Sequence, residues 1–218
     1  MGEGIAHIVS PLSAPWCGWT MLALMVCAVL AELSQPGIIT QAPASLFSRT
    51  DRNYKDSPVT FFGQLFITCF RVGTLAMALC TCLYDGVHCS LTQFGALSGV
   101  VLAMLLVKMG CNLVLDYTFS FSHKAASPYE HYGNVATIAT CILFVAVLAV
   151  MRFGDVDAAM WVFWSVTTLF VLMWLYRSWR LFAGSLKAVI YVLIYTVTLE
   201  ALPLACLYYL SEKTISLI

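Results

Sequence analysis

Three ionisable side chains occur in stretches of this sequence that are otherwise apolar enough to lie inside a membrane. Glu200 lies near the middle of the apolar run from 191 to 209, and Arg71 and Lys108 lie in two earlier runs. A bare carboxylate inside a bilayer costs a few kcal/mol, so Glu200 needs a partner. The depths of the three residues overlap within the reach of a long side chain. We therefore expect Glu200 to pair with Arg71, and Lys108 to lean toward Asp116 and the cytoplasmic interface.

This charge pair has two interpretations. In the first, it is structural and holds three helices in register, since buried pairs often specify packing more than they add stability. In the second, Glu200 and Arg71 line a path for a proton or a small solute, as ionisable groups inside membranes often do. Pro203 fits both, because it cannot donate a hydrogen bond to the Leu199 carbonyl and so bends the helix beside Glu200. The structural interpretation is favoured.

Polar residues also recur at helical spacing in two of the apolar stretches. In the second stretch they fall on one helical face, and they are Gln64, Thr68, Arg71, Thr74 and Cys82. In the third stretch, Lys108, Asn112 and Asp116 follow one another in steps of four. Such faces cannot point at lipid, so they must meet other helices or water.

The other face of the third stretch carries small residues. Gly95, Gly99 and Ala103 form a G-x-x-x-G pattern with its continuation, which lets two helix backbones approach closely. With one polar face and one small-residue face, the third span is expected to be a central helix. The second, third and sixth spans are then expected to form a polar centre.

The outer end of the second stretch offers a weak metal candidate, Cys80, Cys82, His88 and Cys89. These residues lack any standard zinc spacing, and no second ligand pair is evident elsewhere. A Cys82–Cys89 disulfide is an alternative in an oxidising periplasm. Ordinary helix-packing cysteines are the favoured interpretation, so we expect no metal and no cofactor.

The sequence contains none of the compact motifs that mark common enzymes. A nucleophile elbow, an H-E-x-x-H pair, a P-loop and a dinucleotide fingerprint are all missing. The sequence therefore favours a protein that is not an enzyme, although intramembrane enzymes often lack compact motifs. Because 11 basic residues balance 11 acidic ones, there is no basic surface for nucleic acid.

The composition and the hydropathy pattern predict how these residues are positioned. At 61% hydrophobic and 10% charged, the 218 residues are those of a polytopic membrane protein. We predict one all-α membrane domain over 1–218, a bundle of about six spans of roughly 20 residues each. The spans are expected at about 15–33, 59–84, 91–116, 133–151, 158–176 and 185–210, with a polar connection at 34–58.

The distribution of lysine and arginine predicts the orientation of the spans. Loops after the first, third and fifth spans carry Arg49, Arg52, Lys55, Lys124, Arg177, Arg180 and Lys187, whereas the opposite side carries Arg152 and Lys213. Positive residues concentrate on the cytoplasmic side. Both termini are therefore expected outside, and the 34–58 connection is expected in the cytoplasm.

The run Tyr195-Thr-Val-Thr-Leu-Glu-Ala-Leu-Pro-Leu204 resembles the end of the last span in an uncharacterised family of Bacteroidota inner-membrane proteins. That family is known only as a domain of unknown function. The resemblance is specific over this run, where it marks Thr198, Leu199, Glu200 and Pro203. It is looser from about Leu46 to Leu210, and Val197 stands where a small or polar residue is expected. The resemblance implies a Gram-negative inner membrane and supplies no activity.

These features support one leading functional hypothesis and two alternatives. The leading hypothesis is a non-enzymatic subunit or accessory factor of an inner-membrane complex, serving envelope biogenesis or protein export. Its partners would be the lipid bilayer and one or more membrane proteins. The first alternative is a small-solute or proton-coupled transporter or channel that uses Glu200 and Arg71. The second is an intramembrane enzyme.

Overall fold

A computed structural model of the chain describes residues 14–43, 58–83, 90–119, 128–153, 156–182 and 202–217. These residues form six α-helices and contain no strand, which confirms the predicted all-α class for the described part. The helices are α1 (Pro15–Ser34), α2 (Pro58–Cys82), α3 (Leu91–Phe119), α4 (Pro128–Phe153), α5 (Val156–Phe182) and α6 (Leu202–Leu217). Three of them begin at proline, whose fixed φ and missing N–H suit the first helical position.

Four of these helices are long and apolar enough to cross a membrane. Their apolar stretches are Pro15–Ser34, Phe61–Cys82, Leu91–Cys111 and Gly133–Phe153, which correspond to the first four predicted spans. Within α5, the stretch Met160–Met173, whose side chains are described, is also apolar. Most of the predicted sixth span falls on residues 183–201, which lie outside the described residues. The count of six spans therefore stays a prediction.

Several helices extend beyond their predicted ends, among them α3, which ends at Phe119, and α6, which ends at Leu217. α4 begins at Pro128, so residues 129–132, predicted as loop, are helical. α5 continues to Phe182 and includes Arg177 and Arg180, which were also predicted outside a span. Hydropathy marks only the part of a helix that suits lipid, whereas the backbone hydrogen bonds continue into polar residues.

α2 is the central helix of the described bundle. It packs against α1, α3, α4 and α5. Of its apolar stretch 61% is buried, against 17% for that of α3. The third span, predicted to be central, packs against α2, α4 and α6 but is less buried than α2 among the described helices. Its small-residue face is exposed instead of packed, whereas α2 has neighbours on several sides.

Two glycines of α2 mark its contact with the antiparallel helix α1. A Cβ at Gly73 would clash with Leu24 Cδ2, and a Cβ at Gly63 would lie 2.8 Å from Gln35 Cβ. Glycine at these positions therefore permits a close approach, most strictly at Gly63, since the Leu24 side chain opposite Gly73 can shift. Gln35 is itself buried, and its Oε1 accepts a 3.2 Å hydrogen bond from Gln64 Nε2.

After α1, residues 35–43 fold into turns around the Glu32 carboxylate. Oε1 accepts hydrogen bonds from the Gly37 N–H and the Thr40 hydroxyl, both at 2.7 Å. Oε2 accepts one from the Ile39 N–H at 2.8 Å. Gly37 has a φ of 90°, a backbone conformation that favours glycine. Ile38 is buried within these turns, so the predicted polar connection at 34–58 begins as a packed segment.

Two aromatic contacts show how the helices are aligned. The Trp16 and Phe94 rings lie 5.6 Å apart, so α1 and α3 begin at the same end of the bundle. The Phe70 and Phe144 rings lie 5.4 Å apart and join the middle of α2 to the middle of α4. Along the chain, α3 crosses the bundle once between the end of α2 and the start of α4. α2 and α4 therefore begin together, at the end opposite to the starts of α1 and α3.

Candidate functional site

The Arg71 side chain lies between α2 and α4 and is hydrogen-bonded to α4. Its Nη2 donates to the Gly133 carbonyl oxygen at 2.8 Å and to Thr137 Oγ1 at 2.6 Å. The Thr137 hydroxyl in turn donates to the same carbonyl oxygen at 2.9 Å. Arg71, Gly133 and Thr137 thus form a closed set of three hydrogen bonds, called here the Arg71 triangle. Two of the three are charge-assisted, which makes them stronger than bonds between neutral groups.

The positions of these residues along their helices show which way the guanidinium points. Arg71 lies roughly 20 Å from the start of α2, at about 1.5 Å rise per residue. Gly133 lies only roughly 8 Å from the start of α4 by the same rise. The guanidinium therefore reaches from mid-helix toward the end where both helices begin. This is the behaviour expected of an arginine that draws its charge toward a membrane surface.

Other polar groups lie beside the Arg71 triangle. Cys141 follows Thr137 by one turn of α4 and is half-buried. Thr74, one turn beyond Arg71 on α2, is fully buried, and its hydroxyl has no hydrogen-bond partner among the described residues. Other threonines of these helices donate to the carbonyl one turn back, as Thr140 does to Ala136 at 2.7 Å. Thr74 therefore differs from the usual state of a threonine in this bundle.

The predicted partner of Arg71 is not placed by the structure. Glu200 and Thr198 lie outside the described residues, so the Glu200–Arg71 pair stays a prediction. Pro203 is the second residue of α6, where proline fits without breaking the helix. The predicted bend would involve the preceding residues, which also lie outside the described part.

The polar stripe of the third span is placed in part. Lys108 is 9% exposed, so this cation is buried on a helix that packs against α2, α4 and α6. Asn112 and Asp116 belong to α3, but their side chains lie outside the described part. The inclination of Lys108 toward Asp116 therefore stays a prediction.

The small-residue face of α3 is open. Gly95, Gly99 and Ala103 are all exposed. A Cβ at Gly95 or Gly99 would meet no described atom within 4 Å. No described helix of this chain makes the close approach that the pattern predicts.

The cysteines of the weak metal candidate divide between described and undescribed residues. Cys80 and Cys82 are buried near the end of α2, and His88 and Cys89 lie outside the described residues. Over the six described helices, no group of three or more His, Cys, Asp or Glu side chains is arranged to hold a metal ion. The burial of Cys80 and Cys82 is what cysteines that pack between helices would show.

Two features of the site were not predicted from the sequence. The first is the acceptor set for Arg71, for which the available signal was Gly133 followed one turn later by Thr137. The second is the Glu32 carboxylate, whose signal was an acid near a helix end followed by Pro36-Gly37. Neither signal is specific, because both patterns are common at the ends of helices.

The described residues define a class: they are all-helical, with four helices apolar enough to cross a membrane and an arginine held between two of them. Residues 18–210 match the family described as Domain of unknown function (DUF4271), and the chain belongs to that family. No curated protein and no solved structure matches the sequence. The predicted membership in a family of unknown function is confirmed, and the match extends it into the first span. The Bacteroidota origin and the Thr-Leu-Glu run as a family motif stay predictions.

Proposed function

We propose that this protein is a non-enzymatic integral protein of a bacterial inner membrane and acts as a subunit or accessory factor of a membrane complex. The observation that carries the proposal is the exposed small-residue face of α3, formed by Gly95, Gly99 and Ala103. The cellular process, envelope biogenesis or protein export, is proposed from the resemblance to Bacteroidota inner-membrane proteins. The partner is another membrane protein.

The physical reason lies in what drives helices together inside a bilayer. Lipid tails are as apolar as leucine, so association depends on close van der Waals packing, which small residues permit. Glycine in a helix costs about 1 kcal/mol relative to alanine. Gly95 and Gly99 have this cost without a described neighbour to pack against. A transmembrane helix of a partner protein would supply the missing contact.

The Arg71 triangle supports a structural role for the charge inside the bundle. Arg71 donates two hydrogen bonds to groups of its own chain, the Gly133 carbonyl and the Thr137 hydroxyl. An arginine held in this way fixes α4 against α2. This favours a scaffold over a transport path.

We also propose that both termini lie outside and that the 34–58 connection lies in the cytoplasm. The excess of lysine and arginine in the loops after the first, third and fifth spans supports this orientation. The contact of Trp16 with Phe94 supports the alternation of spans on which that count depends, because α1 and α3 begin at the same end. Cysteine labelling from either side of the membrane would test it.

Copurification from native membranes tests the proposed function, with Gly99→Leu as the disrupting variant and Gly18→Leu as its control. Gly18 lies in α1, is exposed like Gly99, and would accept a Cβ without meeting a described atom. We expect wild type and Gly18→Leu to retain the same membrane-protein partner and Gly99→Leu to lose it. A monodisperse wild-type protein with no partner would overturn the proposal.

The transporter alternative is favoured by one observation, the buried hydroxyl of Thr74 beside Arg71. A buried hydroxyl with no partner among the described residues is costly unless a water or a polar solute satisfies it, as either would on a transport path. Flux of protons or small solutes into proteoliposomes would favour this alternative over the scaffold.

A further inference from the structure

Four cysteines lie along the contact between α1 and α2 in two opposed pairs. The contacts of Leu24 with Gly73 and of Gln35 with Gly63 fix the antiparallel register of these helices. Cys27 lies three residues after Leu24 on α1, and Cys69 lies four residues before Gly73 on α2. Because the helices run in opposite directions, this register places the two cysteines at the same level of the bundle.

Cys27 and Cys69 also lie on the interface faces of their helices, because spacings of three and four residues return to the faces of Leu24 and Gly73. Neither Cys27 nor Cys69 forms a disulfide. Cys27 is half-buried and Cys69 is exposed, so the pair can be reached from outside the bundle. Both residues lie in apolar stretches of membrane length, so the reagent that reaches them must be soluble in lipid.

The second pair, Cys17 and Cys80, has the same register but a different environment. Cys17 lies seven residues before Leu24 and Cys80 lies seven residues after Gly73. They are 0% and 2% exposed, respectively. This pair is therefore an internal control, because it has a comparable placement without access.

We propose that Cys27 and Cys69 are a redox-reactive thiol pair that a lipid-soluble quinone oxidises to a disulfide between α1 and α2. Two S–H bonds break and one S–S bond forms, while the two electrons and two protons pass to the quinone, which becomes a hydroquinone. A thiol reductant reverses the step. The product covalently joins α1 to the central helix of the bundle.

Two physical arguments favour a disulfide over a bound metal at this pair. A metal ion binds cysteine as thiolate, and two negative charges in an apolar stretch are costly. A dithiol and a disulfide are both neutral, so their interconversion leaves no charge there. A disulfide also requires Cα atoms within about 7 Å, and the glycines at 63 and 73 bring these helices close together.

The test uses the full chain in lipid vesicles, treated with a fully ring-substituted benzoquinone that cannot add to thiols. Remaining thiols are blocked with N-ethylmaleimide, and the protein is digested with trypsin. Cleavage after Lys55 and Arg71 releases Cys69 in peptide 56–71, where it is the single cysteine. Cleavage after Arg49 releases Cys27 together with Cys17 in peptide 1–49, and Cys80 lies in peptide 72–108.

We expect peptides 1–49 and 56–71 to become linked, with a mass two hydrogen atoms below their sum and one hydroquinone formed per link. The link should be lost in Cys27→Ala, retained in Cys17→Ala, and cleaved by dithiothreitol. Peptides 1–49 and 72–108 should stay unlinked, because Cys17 and Cys80 are inaccessible. Cys111→Ala, which removes an exposed cysteine of α3, should change nothing.

Complete N-ethylmaleimide modification of Cys69 in quinone-treated wild type would overturn the proposal. A link that survives in Cys27→Ala would also overturn it, because Cys17 would then be the reacting residue. Gel filtration of each variant shows that the protein is folded before the link is scored. Cys69→Ser serves as a second loss variant, since an exposed position tolerates the change.

Discussion

The guanidinium of Arg71 donates a 2.6 Å hydrogen bond to the hydroxyl of Thr137, which joins the central helix α2 to α4 inside the bundle. The same hydroxyl donates to the Gly133 carbonyl, so Thr137 serves both as acceptor for the charge and as a local helix contact. Thr137 is 1% exposed, and no bulk water replaces its oxygen when it is removed. The stability of the α2–α4 contact should therefore depend on this one oxygen atom.

Thr137→Val should destabilise the protein by about 1–3 kcal/mol, because it leaves a partly buried charged donor with one acceptor fewer at nearly unchanged volume. The measurement is unfolding of the purified protein in mixed micelles with increasing denaturing detergent. Thr140→Val is the matched control, since Thr140 donates only to the Ala136 carbonyl of its own helix. Equal destabilisation by the two variants would contradict the role given to Thr137.

Gly63→Ala should weaken the docking of α1 on α2 and lower stability by about 1–3 kcal/mol, as overpacking of a tight contact does. The added Cβ would lie 2.8 Å from Gln35 Cβ, an atom next to the backbone that cannot swing away. Unfolding by the same detergent titration measures the change. Gly99→Ala adds the same methyl group where no described atom lies within 4 Å, so its better helix propensity should leave stability unchanged or slightly raised. A loss in Gly99→Ala as large as that in Gly63→Ala would show that the contact with Gln35 does not set the effect.

Glu32→Gln should loosen the turns after α1. The substitution removes the charge and replaces one carboxylate oxygen by an NH₂ group. If that oxygen is Oε1, the Gly37 N–H and the Thr40 hydroxyl lose their acceptor. If it is Oε2, the Ile39 N–H loses its acceptor. The loss of such bonds costs about 1–3 kcal/mol. Hydrogen exchange of the Gly37 and Ile39 amides should accelerate accordingly. Glu212→Gln, at an exposed position of α6, should leave these amides unchanged.

The positions of the first four spans were predictable because hydropathy is a property of each short stretch. The apolar runs and the prolines at 15, 58 and 128 give the helices and their starts without any knowledge of neighbours. Hydropathy did not predict the polar ends of α4 and α5, because helical hydrogen bonding continues into residues that are too polar for lipid.

The neighbours of each helix were less predictable. Gly95 and Gly99 indicate that α3 can be approached closely, but not whether this chain supplies the approaching helix. The close helix contact within this chain, between α1 and α2, lies instead at Gly63 and Gly73 of α2. These glycines are ten residues apart and do not form a G-x-x-x-G pattern. The acceptor for Arg71 was not predictable from the sequence for a simpler reason. A backbone carbonyl such as that of Gly133 is present at every residue, so its use depends on packing alone.

The predicted pairing of Glu200 with Arg71 is tested by combining substitutions. If the two side chains pair inside the bundle, Glu200→Gln in wild type should cost about 3–5 kcal/mol, because it leaves a partly buried arginine inside the membrane short of its counter-charge. In the Arg71→Gln background the same substitution should cost much less, since no cation then remains to be compensated. Detergent-induced unfolding of the four proteins gives the coupling directly. Additive losses would show that Glu200 has another partner.

Proteoliposomes made from the same proteins address the transport alternative, because the scaffold predicts no flux of protons or small solutes in wild type. Flux in wild type that Glu200→Gln abolishes, without a loss of stability, would assign the two charges to a conduction path.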